Sequence, residues 1–280
     1  MCRQLSISPG TKRNEALEIL LEMESGNSDG FGYGYVQDGK FSIFKSPLSL
    51  SSLLKRKVPI LSHLPHSNGY TIAHLRARSC GEVSKANSHP FETDKYLICH
   101  NGNYGLPNER KITKLLLNKL GAKFSSETDS EVAAFLIDTI SPKKFTKEMN
   151  YEGTFLCLDK QGNLEICKTS GDLALHRRKD KTVIISSEFD EEIYKNSELP
   201  DGYFKFSPDG ECLEYKEKES YLSSQNHVWD SKTLSYNYKT YKKEDDDLSS
   251  GGWKYNAQTN SWDNIKVDRR LPSCYRGMCE

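Results

Sequence analysis

From Gly153 onward the chain falls into short β-forming runs separated by turn residues, and this texture constrains the fold more than any other feature. The runs are TFLCLD, LEICK, LALHRR, TVIISS, YFKFS and CLEYK, the first two reversing at Lys160-Gln161-Gly162-Asn163. The first half reads differently. Ala16, Leu17, Ile19, Leu20 and Met23 recur at helical spacing and stop at Gly26-Asn27. Arg110–Leu120 reads as a helix with Ile112, Leu115, Leu116 and Leu120 on one face, and Thr128 with Glu131 has capping-box spacing ahead of VAAFLI. FGYGYVQ and FSIFK, on either side of Gln37-Asp38-Gly39-Lys40, predict a hairpin. Residues 2–8, 70–75 and 96–99 read as strands, residues 79–90 as a loop, and a short helix is expected after Glu188. A helix-bearing first half and a strand-rich second half make an α+β chain, without selecting one α+β architecture.

The strand texture ends near residue 216, so residues 2–216 are expected to form one domain. Residues 217–280 are polar and aromatic, with a charge run at Lys242–Asp247 and a Ser-Ser-Gly-Gly break, and read as a largely flexible tail. Within it, VWDSKTLSYNY and WKYNAQTNSWDN each set aromatics on both sides of a polar turn, the pattern of a small hairpin. Lys+Arg and Asp+Glu both number 39, so no basic excess points to nucleic acid or an anionic membrane. No apolar run is long enough to span a bilayer, and no secretory leader precedes the fold. The eight cysteines are scattered, mostly in apolar strand-like runs, which suits reduced thiols. A cytoplasmic protein is expected. Cys274 and Cys279 lack two further ligands for zinc, and no phosphate-binding or dinucleotide loop is present, so neither a metal nor a cofactor is expected.

The chemistry-bearing residues sit where strands or loops would present them. Cys2 follows the initiator. Removal of Met1, the usual fate ahead of a small second residue, would leave a thiol and a free α-amine on one residue. Their reference pKa values, about 8.5 and about 7.7–8.0, suit a nucleophile with its own proton acceptor. Arg76, in IAHLRARSCG, emerges from an apolar strand, where its planar fork suits a carboxylate or a surface ion pair. His89, in NSHPF, precedes a proline and reads as a structural hydrogen-bonder. Asn101-Gly102, in CHNGN, can converge an amide and a backbone N–H on an oxyanion, or simply turn a hairpin. Asp129, in SSETDSE, can bind an ammonium group or favour the positive end of a helix.

In one order behind an N-terminal cysteine, the segments Met1-Cys2, NSDGFGYGY, IAHLRARSCGEVSKANSHPF, CHNGN and ETDSE resemble the class II glutamine amidotransferases, which are N-terminal-nucleophile (Ntn) hydrolases. GTFLCLDKQGNLEICK and VIISSE also fit, so the resemblance covers roughly residues 2–210, and the DGFGYGY and NSHPF forms are similar to its small stand-alone branch. The resemblance implies a four-layer αββα sandwich of two mainly antiparallel sheets. It implies L-glutamine as substrate, Cys2 as nucleophile, and Asn101 with Gly102 as oxyanion hole. Arg76 would take the α-carboxylate and Asp129 the α-ammonium. Ser79 stands where the family often carries a threonine near the substrate, and His89 and His100 match positions that shape the pocket. Two departures stand out: Ala77 replaces a common aromatic, and Cys80 a frequent histidine. With no synthase module in the sequence, the protein reads as a simple glutaminase or as the ammonia source for a separate ligase or synthase. The Trp229, Trp253 and Trp262 region is a candidate docking segment. Two rival readings are an Ntn amidohydrolase acting on another γ-glutamyl or acyl amide, and an inactive partner-binding scaffold of the same fold.

Overall fold

The computed structural model describes residues 2–177, 183–187, 198–218, 227–230, 235–238, 253–256 and 261–264. The chain divides into two compact units, Met1–Tyr238 and Lys239–Glu280.

The first unit holds two six-stranded sheets, antiparallel throughout. The first sheet runs in the order β3 (Lys40–Ser46), β2 (Phe31–Gln37), β4 (Thr71–Leu75), β1 (Arg3–Ile7), β10 (Val183–Ser186) and β9 (Ala174–Arg177). The second runs β12 (Cys212–Glu217), β11 (Gly202–Phe206), β8 (Leu164–Lys168), β7 (Tyr151–Asp159), β6 (Tyr96–Tyr104) and β5 (Phe91–Glu92).

Period-2 alternation along the strands sorts the apolar residues into three cores. Leu5, Ala73 and Leu75 face helices α1 (Arg13–Met23) and α2 (Leu50–Lys55), meeting Ala16, Leu20 and Leu53. Between the sheets, Ile72 and Ile185 pack with Leu97, Cys99, Leu156 and Phe204. On the far side, Ile98, Phe155 and Cys157 face α3 (Pro107–Lys119), α4 (Asp129–Ile140) and α5 (Pro142–Glu148) through Leu117, Val132 and Phe145. Neighbours such as Leu156 and Phe155 therefore enter different cores, and the layers are helix, sheet, sheet, helix. The fold is the αββα sandwich.

Several local readings need correction. The predicted strand at 96–99 continues to Tyr104 because β7 pairs with it along its whole length, from Tyr96↔Asp159 to Tyr104↔Tyr151. The capping box at Thr128 does not form. The Thr128 side chain makes no cap hydrogen bond, and Glu131 instead accepts from the backbone and hydroxyls of Ser125 and Ser126, bracing the preceding loop. The Ile112, Leu115, Leu116 and Leu120 stripe of α3 is real, but it faces solvent. The short helix expected after Glu188 lies outside the described residues. So does most of the stretch read as a flexible tail, where β13 (His227–Asp230) pairs with β14 (Ser235–Tyr238) and β15 (Trp253–Asn256) with β16 (Ser261–Asn264).

Leu156 is fully buried between the sheets, so Leu156→Ala should destabilise the fold by about 2–5 kcal/mol. The check is a lower urea midpoint at unchanged slope; an unchanged midpoint would contradict this account of the central core.

Candidate functional site

The site begins with strand pairing. Arg3 of β1 lies opposite Leu75 of β4, so one residue further on Cys2 stands beside Arg76-Ala77. Its Sγ donates to the Ala77 carbonyl at 3.3 Å. Burial raises the thiol's pKa above its ordinary value, Arg76's charge opposing the shift and Asp129's adding to it. The thiol thus lies within the fields of both side chains.

Gln4 ties this end of β1 to the second sheet. Its side-chain amide donates to the Thr154 hydroxyl, and its backbone N–H to the Ser187 hydroxyl at 2.7 Å. Thr154 pairs with Asn101 across β7 and β6. The start of β1 therefore crosses the sheet at the level of CHNGN. Beside Asn101, Gly102 and Gly153 face each other in the ladder at φ 142° and φ 130°. A Cβ on Gly102 would meet the Glu152 carbonyl oxygen at 2.0 Å, and one on Gly153 the Asn101 oxygen at 2.1 Å, so neither position admits a side chain. Asn101 is half-buried and its side-chain amide makes no hydrogen bond to a described residue.

Arg76 is buried, with its guanidinium donating to the carbonyls of Cys80 at 2.7 Å and Glu82 at 2.8 Å. Those two bonds fold the following loop back over the strand end and leave the remaining N–H groups of the fork available. Asp129, the first residue of α4, is also buried. One oxygen accepts from the Tyr104 N–H at 2.8 Å and lies 3.9 Å from the Arg110 guanidinium. Ser79 is exposed on the loop and bonds to no described residue.

Beneath these groups lie three buried histidines. His74 shares a 3.0 Å hydrogen bond with the His100 carbonyl, joining the two sheets. His100 Nδ1 meets the Ser130 hydroxyl at 3.0 Å, and its ring stacks on Phe155. His89 packs on His74 with ring centroids 4.0 Å apart, and neither of its nitrogens has a partner among the described residues. Burial lowers the pKa of His74 to about 3 and of His100 to about 4, and drives His89 well below the ordinary range. All three are neutral near pH 7 and act as packing and hydrogen-bonding groups.

Sequence reasoning missed several supporting residues. Asn87 donates to the Glu82 carbonyl and accepts from the Glu127 N–H, joining the Arg76 loop to the segment before Asp129. Asp29 accepts from the Arg78 N–H at 2.8 Å, fixing the other side of that loop. Gly32 lets the His89 carbonyl close on β2, where a Cβ would stand 2.1 Å from that oxygen. The DGFGYGY and NSHPF segments therefore pack against each other at Gly32. Among the described residues, no group of three His, Cys, Asp or Glu side chains is arranged to hold a metal.

No protein-family model matches the chain. A glutamine–fructose-6-phosphate aminotransferase [isomerizing] of Helicobacter pylori is 33% identical over 135 residues, which is 47% of this chain and 21% of that protein. The corresponding protein of Yersinia pseudotuberculosis is 44% identical over 69 residues, 25% of this chain and 11% of that one. The matches thus span about a fifth or less of these relatives' length. Among solved structures, the glutamine phosphoribosylpyrophosphate amidotransferase of B. subtilis superposes with a TM-score of 0.60 at 16% identity, over 81% of this chain and 50% of that one. A glutamine aminotransferase class-II domain protein from Silicibacter pomeroyi gives 0.52 at 14% identity, over 78% and 100%.

The histidines set a stability-versus-pH expectation. Their folded pKa values lie below the unfolded value of about 6.5, so the unfolded chain binds more protons and stability falls as pH drops through that value. Unfolding free energy should decline between pH 7 and pH 5.5, where most carboxylates stay ionised, and His89→Phe should make that decline shallower. Urea melts across this window test it, and an unaltered slope in His89→Phe would count against it.

Proposed function

We propose that this chain is a class II glutamine amidotransferase that hydrolyses the side-chain amide of L-glutamine to glutamate and ammonia through a Cys2 thioester, a reading that its similarity to glutamine–fructose-6-phosphate aminotransferases supports. The observation that carries the reading is the convergence of four chain-distant groups. The Cys2 thiol lies beside Arg76, within the field of Asp129, and β1 crosses the second sheet at the level of Asn101. In this mechanism Met1 is removed and the Cys2 α-amine takes the thiol proton as Sγ attacks the amide carbon. The developing oxyanion sits between the Asn101 amide and the Gly102 N–H. The α-amine delivers the proton to the departing nitrogen, ammonia leaves, and water hydrolyses the thioester.

The free N–H groups of Arg76 take the substrate carboxylate while its other two hold the loop, and Asp129 takes the ammonium. Ser79, exposed on the loop that Arg76 organises, reaches substrate only at the rim of the site. Residues 2–216 are proposed as the glutaminase domain, with 217–280 as its tail. Ammonia passes to a separate ligase or synthase. A cytoplasmic setting agrees with the six described cysteines forming no disulfide, and among the described residues no helix is long and apolar enough to cross a membrane.

Cys2→Ala should abolish ammonia release from glutamine. Asn101→Ala should lower kcat by about 10²–10³-fold, the usual effect of losing one oxyanion donor. Arg76→Ala should act mainly on KM. Coupled glutamate-formation assays on purified protein, with mass analysis of the N-terminus, are the check. Normal turnover by Cys2→Ala, or by protein retaining Met1, would sink the mechanism; equal turnover of amides lacking an α-amino-acid head would redirect it to another amide.

A further inference from the structure

Helix α3 carries its apolar stripe on the wrong side for a core helix. Of the eight large apolar side chains exposed among the described residues, five belong to α3 and its flanks: Leu106, Ile112, Leu115, Leu116 and Leu120. Ile112, Leu116 and Leu120 follow one another at i, i+4 and i+8, so they form one continuous ridge. The face turned inward is largely polar. Arg110 lies 3.9 Å from Asp129 and Lys114 sits over the Phe124 ring, leaving Leu117 as the buried apolar anchor. These contacts fix the helix's rotation, so the ridge cannot turn inward without breaking them.

Next to the ridge, a cleft of about 430 Å³ opens between the end of α3 and α4, floored by Leu117, Ala122 and Phe135. Lys111, Lys119 and Lys123 are exposed along the α3 side and form no ion pair with described residues. An apolar ridge bordered by unpaired lysines calls for a partner with apolar and acidic groups. Two α3 helices brought together would oppose these lysines to one another, which disfavours a second copy. A basic amphipathic helix also suits an anionic lipid surface. However, the cleft also carries Glu92, Asp94 and Asp138, which a uniformly anionic surface would meet head-on, whereas a helix can keep its carboxylates on the lysine side and turn only apolar side chains towards the cleft.

We propose that the α3 ridge and its cleft dock an acidic, leucine-bearing amphipathic helix of a separate protein. The partner's apolar side chains lie along Ile112, Leu116 and Leu120 and enter the cleft, and its carboxylates meet Lys111, Lys119 and Lys123. The inner face of α3 reaches Asp129 through Arg110, so a partner gripping this helix acts on a residue of the candidate site. That the partner is the ammonia acceptor rests on the function proposed above; the docking itself does not.

The probe is a fluorescein-labelled synthetic helix with leucines on one face and glutamates on the other, alongside a twin carrying lysines for glutamates. Fluorescence anisotropy with the full-length protein should show the acidic helix binding at least about tenfold more tightly than the basic one, and more weakly at high salt. Ile112→Asp with Leu116→Asp, both solvent-exposed substitutions, should weaken binding by about tenfold or more. Lys111→Glu with Lys119→Glu should reverse the preference between the two peptides. Equal binding of both peptides, or unchanged binding by the Asp double variant, overturns the proposal. So does self-association in sedimentation that the Asp variant abolishes, which would make a second copy the occupant. Selective co-sedimentation with phosphatidylserine vesicles would overturn it in favour of lipid. Ammonia release from the same preparations keeps the two readings apart: its absence alongside selective peptide binding sinks the glutaminase and supports the docking surface.

Discussion

The antiparallel register of β1 on β4 is the constraint on which the site depends. Arg3 opposite Leu75 sets Cys2 against Arg76-Ala77, and a slip of one residue would turn every β1 side chain to the opposite face. Burial of Leu5 and Ile7 in the outer core opposes that slip, because their faces cannot be exchanged with those of Gln4 and Ser6. The cross-sheet bond from Gln4 to Thr154 then relates this register to that of the second sheet.

A second constraint is close backbone approach. The facing pair Gly102 and Gly153 leaves no room for a Cβ on either strand, and Gly32 admits the His89 carbonyl. Together with three neutral histidines, these glycines let polar segments from distant parts of the chain pack beneath the site without carrying charge into it. Arg76 and Asp129 act on the thiol's charge in opposite senses, and backbone groups hold each in place: two loop carbonyls for Arg76, the Tyr104 N–H for Asp129.

Much of the secondary structure was legible locally. The α1 periodicity, the β2–β3 hairpin and the strands after Gly153 appear where spacing and turn residues indicated. Failures came where tertiary partners outweighed local preference. Tyr96–Cys99 grew to Tyr104 because β7 supplied a full ladder, and Glu131 left the capping box because Ser125 and Ser126 offered it more donors in a buried setting. The supporting residues Asn87, Asp29, Gln4 and Thr154 were invisible because each acts through a partner far away in sequence.

The amino-acid sequence by itself determined the α+β character, the set of chemistry-bearing residues and, through its ordered motifs, the resemblance to an amidotransferase family. These follow from local periodicity and residue type, which need no partner to be expressed. Only the tertiary structure decided that Cys2, Arg76 and Asp129 share one electrostatic neighbourhood, and that the apolar face of α3 points to solvent. Both depend on strand register and helix rotation, which contacts between distant segments set and no local window of sequence contains.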